Sequence, residues 1–426
     1  MNQQPFDIFI LTMCRYDDVY SSTIYSIAKE LAKTHRVFYI DHPFTVKDLL
    51  SGYKNPRLKA RQSALLKGDN YYRQIPDLPN NFISVTPRFT WSINSLPNGA
   101  LYRFLSGINN RIVYDCIRRT KQDFGVTDFV FINSFDPFYC QTLPDDLQPL
   151  LYVYQSTDDI SQEAYIAKHG IRLEQQIMNT ANLNIATSRE LVQKLSSPTR
   201  KVHYLPNAAN FELFNQAATA NFSMPDDLTK RLPAPDTKII GYLGDVSALR
   251  IDFNLLTTIA QAHPDKLMVF IGKKQCTDAE LPLQPNMVFL PPKPIEQLPA
   301  YLRFFDCCII PFACNTLTKS IYPLKINEYL AAGKPVVTTA FSEDIRAFMQ
   351  VAAIAHTPNQ FADLINTAIL TDNPAYQQQR IETALQNSWQ NRTAQLLQLI
   401  YRHLPANQRT LTAKTQQYEP LETTHQ

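Results

Sequence analysis

Residues Ser320-Ile-Tyr-Pro-Leu-Lys-Ile-Asn-Glu-Tyr-Leu-Ala-Ala-Gly-Lys-Pro-Val-Val-Thr-Thr339 read as a helix, a stop and a strand. Pro323 has a φ preset for helix and no N–H to lose, so it can open the helix. Glu328 falls in the early turns. Gly333 supplies the left-handed residue that closes a helix, and Lys334-Pro335 leads into a β-branched run. A helix followed at once by a buried strand is half of a βαβ unit. In an open α/β sheet the ligand lies beyond the carboxyl ends of the strands, where helix N-termini offer unpaired N–H groups to phosphate. A carboxylate one or two turns in, at Glu328, is placed to accept hydrogen bonds from ribose hydroxyls.

The same alternation extends in both directions. Strands are predicted at 238–243, 267–271, 287–290, 307–311, 335–339 and 352–355, with helical stretches at 252–262 and 295–304 between them. The first half repeats the arrangement, with strands at 7–11, 36–40, 82–85, 128–132, 150–154, 183–186 and 202–205. Ile24, Ile27, Leu31 and Ala32 recur at helical spacing behind Ser21 and Ser22, either of which can cap. Residues 207–236 carry Pro225, Pro233 and Pro235 among polar residues, and both patterns weaken there. The expected organisation is an N-terminal domain over 1–206, an interdomain segment and C-terminal domain over 207–386, an amphipathic helix over 387–404, and a polar tail over 405–426.

A chain of 426 residues accommodates two or three domains. With 45% apolar and 19% charged residues and a mean hydropathy of −0.24, it is neither disordered nor polytopic. Forty-one basic against 38 acidic residues give a net charge of +3, too even for nucleic-acid binding by bulk charge. Seven scattered cysteines without a C-x-x-C pair argue for a reducing compartment and against a zinc site. The N-terminus has no signal-peptide pattern and no run of about 18 apolar residues occurs, so the cytoplasm is the expected location. No G-x-G-x-x-G follows any strand, which disfavours a nicotinamide dehydrogenase.

The 320–339 stretch resembles the nucleotide-sugar-binding motif of retaining GT-B glycosyltransferases, the superfamily of glycogen synthases and bacterial mannosyltransferases. Gly241-Tyr-Leu-Gly-Asp-Val-Ser-Ala-Leu-Arg-Ile-Asp252 is similar to that family's first C-domain strand and loop, and Leu205-Pro-Asn-Ala-Ala-Asn210 to its domain-boundary segment. Val153-Tyr-Gln-Ser-Thr-Asp-Asp159 and Asn387-Ser-Trp389 resemble the teichuronic-acid-biosynthesis-type branch. The resemblance implies an α/β GT-B fold of two Rossmann-like, doubly wound domains facing an interdomain cleft. It implies a nucleotide diphosphate sugar as donor, a glycan or lipid-linked hydroxyl as acceptor, retention at the anomeric carbon, and no cofactor. Gly244, Ser247, Ser320, Leu324 and Glu328 become donor-binding candidates. Arg250 and Lys325 become the cations that steady the departing diphosphate without a metal, with Lys273 and Lys274 in reserve. Two departures stand out. The family pattern is Glu-x7-Glu, and Ser320 occupies its first position. The glycine-rich first loop of the N-domain is replaced by Met13-Cys-Arg-Tyr-Asp-Asp18.

On the acceptor side, Asn133-Ser-Phe-Asp-Pro137 follows a strand, and Asp136 there can position or deprotonate a hydroxyl; an ordinary Asp-Pro turn is the plainer account. Arg15, Asp158 and Asp159 are the other acceptor-side candidates, the aspartates doubling as helix caps. From Lys47 to Arg73, seven basic residues face Asp48 and Asp69 among leucines and tyrosines, a pattern suited to a solvated loop or to an anionic membrane surface. Two other functions stay open: an inactive sugar-nucleotide-binding scaffold, given Ser320, and a sugar-nucleotide epimerase of the same fold.

Overall fold

The computed structural model describes residues 6–18, 22–51, 55–68 and 71–406. The chain forms two compact units. Among the described residues, the first takes those up to Ala186, Leu195–Leu205 and 393–406; the second takes Thr187–Lys194 and Pro206–Arg392. The sequence placed one boundary near Pro206, whereas the chain passes between the units more than once. Of the polar tail read over 405–426, residues 407–426 lie outside the described residues.

In the first unit, β1 (Asp7–Thr12), β2 (Val37–Ile40), β3 (Tyr72–Gln74), β4 (Phe82–Val85), β5 (Phe129–Ser134), β6 (Leu151–Ser156), β7 (Leu183–Ala186) and β8 (Val202–Tyr204) build one sheet in the order β3-β4-β2-β1-β5-β6-β7-β8. Every pairing is parallel except β3 with β4. The central strands are buried along their whole length, so they read as largely continuous hydrophobic runs. The sequence missed β3, a three-residue antiparallel edge strand whose Tyr72 and Arg73 are only half-buried. The first helix, Thr23–Leu31, is capped by Ser22, whose Oγ accepts from Tyr25 N–H at 3.2 Å.

The second unit holds β9 (Ile239–Leu243), β10 (Leu267–Ile271), β11 (Met287–Leu290), β12 (Cys307–Ile310), β13 (Val336–Thr339) and β14 (Ala353–Ala355), all parallel, in the order β11-β10-β9-β12-β13-β14. The helix Leu324–Ala331 starts behind Pro323 and stops at Gly333, whose φ is +69°. Residues 207–236 are more structured than their prolines suggested. A helix over Phe211–Thr219, capped by Asn210, and a turn of helix at Asp226–Thr229 bury Phe214, Ala217 and Leu228 in this unit's core. A fully buried side chain of this size stabilises by about 1.5–3 kcal/mol, enough to hold such a segment down.

The long helix Trp389–His403 returns to the first unit. Leu396, Ile400 and Leu404 are buried, Tyr401 Oη lies 3.3 Å from His35 Nε2, and its ring packs 5.7 Å from that of Phe6.

Candidate active site

In the second unit, the crossing from β9 into its loop requires Gly244. Its φ of +134° is a conformation that L side chains rarely adopt, and a Cβ there would lie 2.3 Å from Cε of Lys325 and 2.8 Å from Nζ. The bare backbone lets the Lys325 stem, in the first turn of Leu324–Ala331, lie against it. Tyr329, one turn on, fixes the helix to the strand end by accepting the Leu243 N–H at 2.8 Å through its hydroxyl.

Lys325 Nζ lies 5.6 Å from the centroid of the Tyr242 ring and 5.7 Å from that of Phe312. Among the described residues neither Lys325 nor Glu328, three residues on, has an ion pair within 4 Å. Burial pushes the Lys325 ammonium below its usual range, with Glu328 pulling it back and Arg250 pushing the same way as burial. Burial raises the Glu328 carboxyl to about 7, against the opposing pull of Lys325. Both groups are thus half-buried with their charged forms disfavoured and no ion-pair partner among the described residues, a state that a bound anion and hydroxyl groups would relieve.

The loop after β9 is tied to the loop after β12. Ala313 N–H donates to Arg250 O at 2.8 Å, and Asn315 Nδ2 donates to Leu249 O at 3.0 Å. Arg250 itself is exposed and forms no ion pair among the described residues, so its guanidinium is free to meet an anion. Ser247 is buried and shapes the turn: its Oγ accepts from Leu249 N–H at 3.3 Å and its carbonyl from Ile251 N–H at 2.8 Å. Leu324 is half-buried at the helix start. Ser320 is 3% exposed and donates its hydroxyl proton to Leu317 O at 2.8 Å, leaving only its lone pairs for a ligand. Of the reserve cations, Lys274 pairs with Asp278 at 2.5 Å and Lys273 stays exposed. A cleft of about 1150 Å³ is lined by Glu190, Cys314, Asn315, Lys319, Arg346 and His356 among others; Ser320, Gly244, Lys325 and Glu328 do not line it.

In the first unit the carboxyl ends of β1, β2 and β5, adjacent in the sheet, bring Arg15, His42 and Asp136 together. Asp136 is fully buried, which alters its expected role. Its Oδ1 accepts the Phe138 N–H at 3.0 Å and its Oδ2 lies 2.9 Å from His42 Nδ1, so it reaches no ligand except through His42. Arg15 donates Nε–H to His42 O at 2.9 Å and stacks 3.8 Å over Phe44, clamping the 41–44 turn. His42 was not singled out in the sequence, although Asp41-His42-Pro43 directly follows a predicted strand. Asp159 caps a short 3-10 turn, accepting from Ser161 N–H at 3.0 Å, and Asp158 O accepts the Ser156 hydroxyl at 3.4 Å.

Several arginines of the basic 47–73 stretch turn inward rather than toward solvent. Arg61 is buried and bonds both Asp17 and Asp41, Arg57 pairs with Asp18 at 2.6 Å, and Arg73 donates to Tyr16 Oη at 2.7 Å. They pin down the loop that replaced the glycine-rich one. Lys54 and Asp69 lie outside the described residues.

Residues 237–371, which hold Gly244, Arg250, Lys325 and Glu328, match the family model of glycosyl transferases group 1. This segment is thus similar to a group 1 glycosyltransferase domain. A relative from Bacillus subtilis (strain 168), named as a teichuronic acid biosynthesis glycosyltransferase, TuaH, is 30% identical over 156 residues, covering 35% of this chain and 37% of its own length. The chain thus spans little more than a third of that relative. Among solved structures, sucrose-phosphate synthase from Thermosynechococcus elongatus aligns over 96% of this chain and 100% of its own, with a TM-score of 0.60 and 15% identity. Anabaena Alr3699/HepE in complex with UDP aligns over 92% and 99%, with a TM-score of 0.59 and 14% identity. The fold is GT-B, two α/β units whose sheets are parallel apart from the edge strand β3, as the doubly wound reading of the sequence expected. Among the described residues no helix is long and apolar enough to cross a membrane.

Proposed function

We propose that the protein transfers a sugar from a nucleotide diphosphate sugar to a hydroxyl of a glycan or glycolipid in cell-surface polysaccharide synthesis, in the cytoplasm. The observation that supports this most directly is the Lys325 ammonium laid along the bare Gly244 backbone, with Glu328 three residues on and neither charge paired. A diphosphate offers what Lys325 and Arg250 lack, and ribose hydroxyls offer what Glu328 lacks. Two side-chain cations and a helix N-terminus can steady the leaving diphosphate, so the reaction is proposed to need no metal and no cofactor. Retention of anomeric configuration follows from the family resemblance. The UDP in HepE's structure and the reading of TuaH's name motivate the donor and acceptor classes.

The test is thermal stabilisation by UDP, GDP and dTDP in the presence of EDTA. One of them should raise the melting temperature; a strict requirement for magnesium or manganese would remove the metal-free reading. Release of that diphosphate from its sugar donor, only when cell-derived glycolipid is added, separates an enzyme from a binding scaffold. The configuration of the product, read by NMR, decides retention.

A peripheral membrane contact is part of the same proposal, now resting on fewer residues. Lys47, Lys59 and Lys67 are exposed, and Leu50 and Leu66 stand 81% and 57% exposed among them. Cations around protruding leucines suit an anionic bilayer that carries a lipid-linked acceptor.

A further inference from the structure

We propose that the first unit holds the protein to an anionic lipid bilayer through an apolar surface built from the loop after β4 and the two helices that flank it, with Trp91, Leu101, Phe104 and Tyr165 as the inserting side chains. This rests on the membrane part of the function proposed above and adds an apolar anchor to it. Trp91, Leu101, Phe104, Tyr165 and Ile171 are 50%, 59%, 67%, 69% and 48% exposed. Among the described residues of the first unit, Leu50 and Leu66 are the other large apolar side chains left in water. Apolar side chains gathered in this way on a folded surface mark a contact with a partner or a membrane, whereas single scattered leucines mark nothing.

The elements that carry these side chains are tied to one another. Asn109, in the helix Ala100–Asp123, accepts the Trp91 N–H on Oδ1 at 2.8 Å and donates from Nδ2 to Trp91 O at 2.9 Å. From the helix Ala164–Thr180, Lys168 donates to Ser95 O at 2.5 Å, His169 Nε2 lies 3.0 Å from Leu96 O, and the Tyr165 carbonyl accepts from Asn94 Nδ2 at 2.6 Å. The two helices meet where the Tyr102 and His169 rings stack at 4.0 Å. The backbone of the loop is therefore fixed while the Trp91 indole stays half in water. Leu101, Phe104, Gly107 and Arg111 follow one another at three- and four-residue spacings along one side of their helix, and all are exposed. A Cβ added at Gly107 would meet no atom within 4 Å, so no described residue packs on the helix there. Val46 N–H donates to Thr90 O at 2.9 Å, which joins the helix Val46–Ser51, and with it Leu50, to the same loop.

Charge selects the occupant. Residues 89–114 and 164–173 carry Arg103, Arg111, Lys168 and Arg172 and no acidic residue, in a chain of 41 basic and 38 acidic residues. All four cations are exposed, and none is in an ion pair among the described residues. The acidic residues that bound these stretches are Asp115, paired with Arg118 at 2.8 Å, Glu163, and the buried Glu174. Rings and leucines set among unpaired cations match a bilayer surface: the apolar groups enter the boundary between headgroups and acyl chains, and the cations meet lipid phosphates. A free glycan or an acidic solute would satisfy the cations and leave Leu101 and Phe104 in water. A second copy meeting this face by two-fold symmetry would set like charge against like.

The test uses the full chain and vesicles of phosphatidylcholine with or without phosphatidylglycerol. The chain has two tryptophans and Trp389 is buried, so a change of emission on adding vesicles reports Trp91. Anionic vesicles should shift that emission to the blue, and bromine on the acyl chains should quench it. Leu101→Ser combined with Phe104→Ser should raise the lipid concentration for half-maximal co-sedimentation by about tenfold or more at an unchanged melting temperature. Leu370→Ser, at an exposed leucine of the second unit, should leave it unchanged. Co-sedimentation of the wild type with an unmoved Trp91 emission, or full binding by the Leu101 and Phe104 double variant, would overturn this surface and leave the membrane contact to Lys47, Lys59 and Lys67. A dimer in sedimentation velocity that the same double variant abolishes, with no change of emission on lipid, would overturn it in favour of a second copy. Failure of the wild type to bind any vesicle is a different result, which removes the membrane reading and this proposal with it. These readouts need no sugar donor, so the glycosyl-transfer reading stands or falls separately.

Discussion

Glu328, when ionised, destabilises the folded chain, because burial disfavours its charged form. Its carboxyl titrates near 7 in the folded chain against an ordinary 4.5. The folded state therefore holds its proton more tightly than the unfolded one. The stability it allows is fully present below about 4.5 and declines as pH rises through about 7. Glu328→Gln should accordingly melt higher than wild type at pH 8 and equal to it near pH 4, by calorimetry. The same carboxylate predicts a loss on binding. Glu328→Ala should weaken the stabilising nucleotide by about 1.5–3 kcal/mol per charged hydrogen bond, roughly a tenfold to hundredfold rise in Kd by titration calorimetry, with circular dichroism unchanged. Gly244→Ala should harm nucleotide binding as well, since its Cβ would displace the Lys325 side chain. Gly244, Lys325 and Glu328 were legible because their signals are local: a glycine at a strand end, and a cation and a carboxylate one helical turn apart behind a proline. His42 was not, because its partner Asp136 stands 94 residues away and only the folded sheet brings them together. The Ser320 hydroxyl serves the turn that the preceding residues form, and Ser320→Glu should alter sugar preference more than affinity for the free diphosphate.

The short helices Pro56–Ala60 and Gln62–Leu66 show how a charge pattern misleads at the scale of elements. Their arginines read as a solvated or lipid-facing stripe, yet Arg61 is buried and donates to Asp41 at 2.8 Å and to Asp17 at 2.8 and 2.9 Å. Asp17 and Asp41 lie 44 and 20 residues upstream, beyond any window over which composition is read. Removing one member of such a pair leaves the other buried and uncompensated. Arg61→Met should cost about 3–5 kcal/mol in urea unfolding, and adding Asp41→Asn should recover part of it. A double mutant no more stable than the single one would mean the network holds the loop by some other contact. Strands, by contrast, were legible almost residue by residue, because both-face burial forces long apolar runs. The exceptions are the short edge strand β3 and the helices within 211–229, where tertiary packing overrode weak local signals.

For the molecule as a whole, the exposed residues that remain of the basic stretch set the membrane prediction. Replacing Lys47, Lys59 and Lys67 with serine should reduce co-sedimentation with anionic vesicles. Each cation near such a surface contributes roughly 1 kcal/mol, and the binding should fade as salt shortens the Debye length to about 10 Å or less. Equal binding to neutral vesicles would point to a soluble acceptor. The route of the chain has a further consequence. Leu396, Ile400, Tyr401 and Leu404 complete a unit whose other residues end at Leu205, with Tyr401 set against His35 and Phe6. At about 5–20 residues per second of synthesis, the first unit waits on the order of 10–40 s for its last helix. During translation, then, the half that emerges first is the half that finishes last, and for that interval its newborn core has an open seam for chaperones to guard.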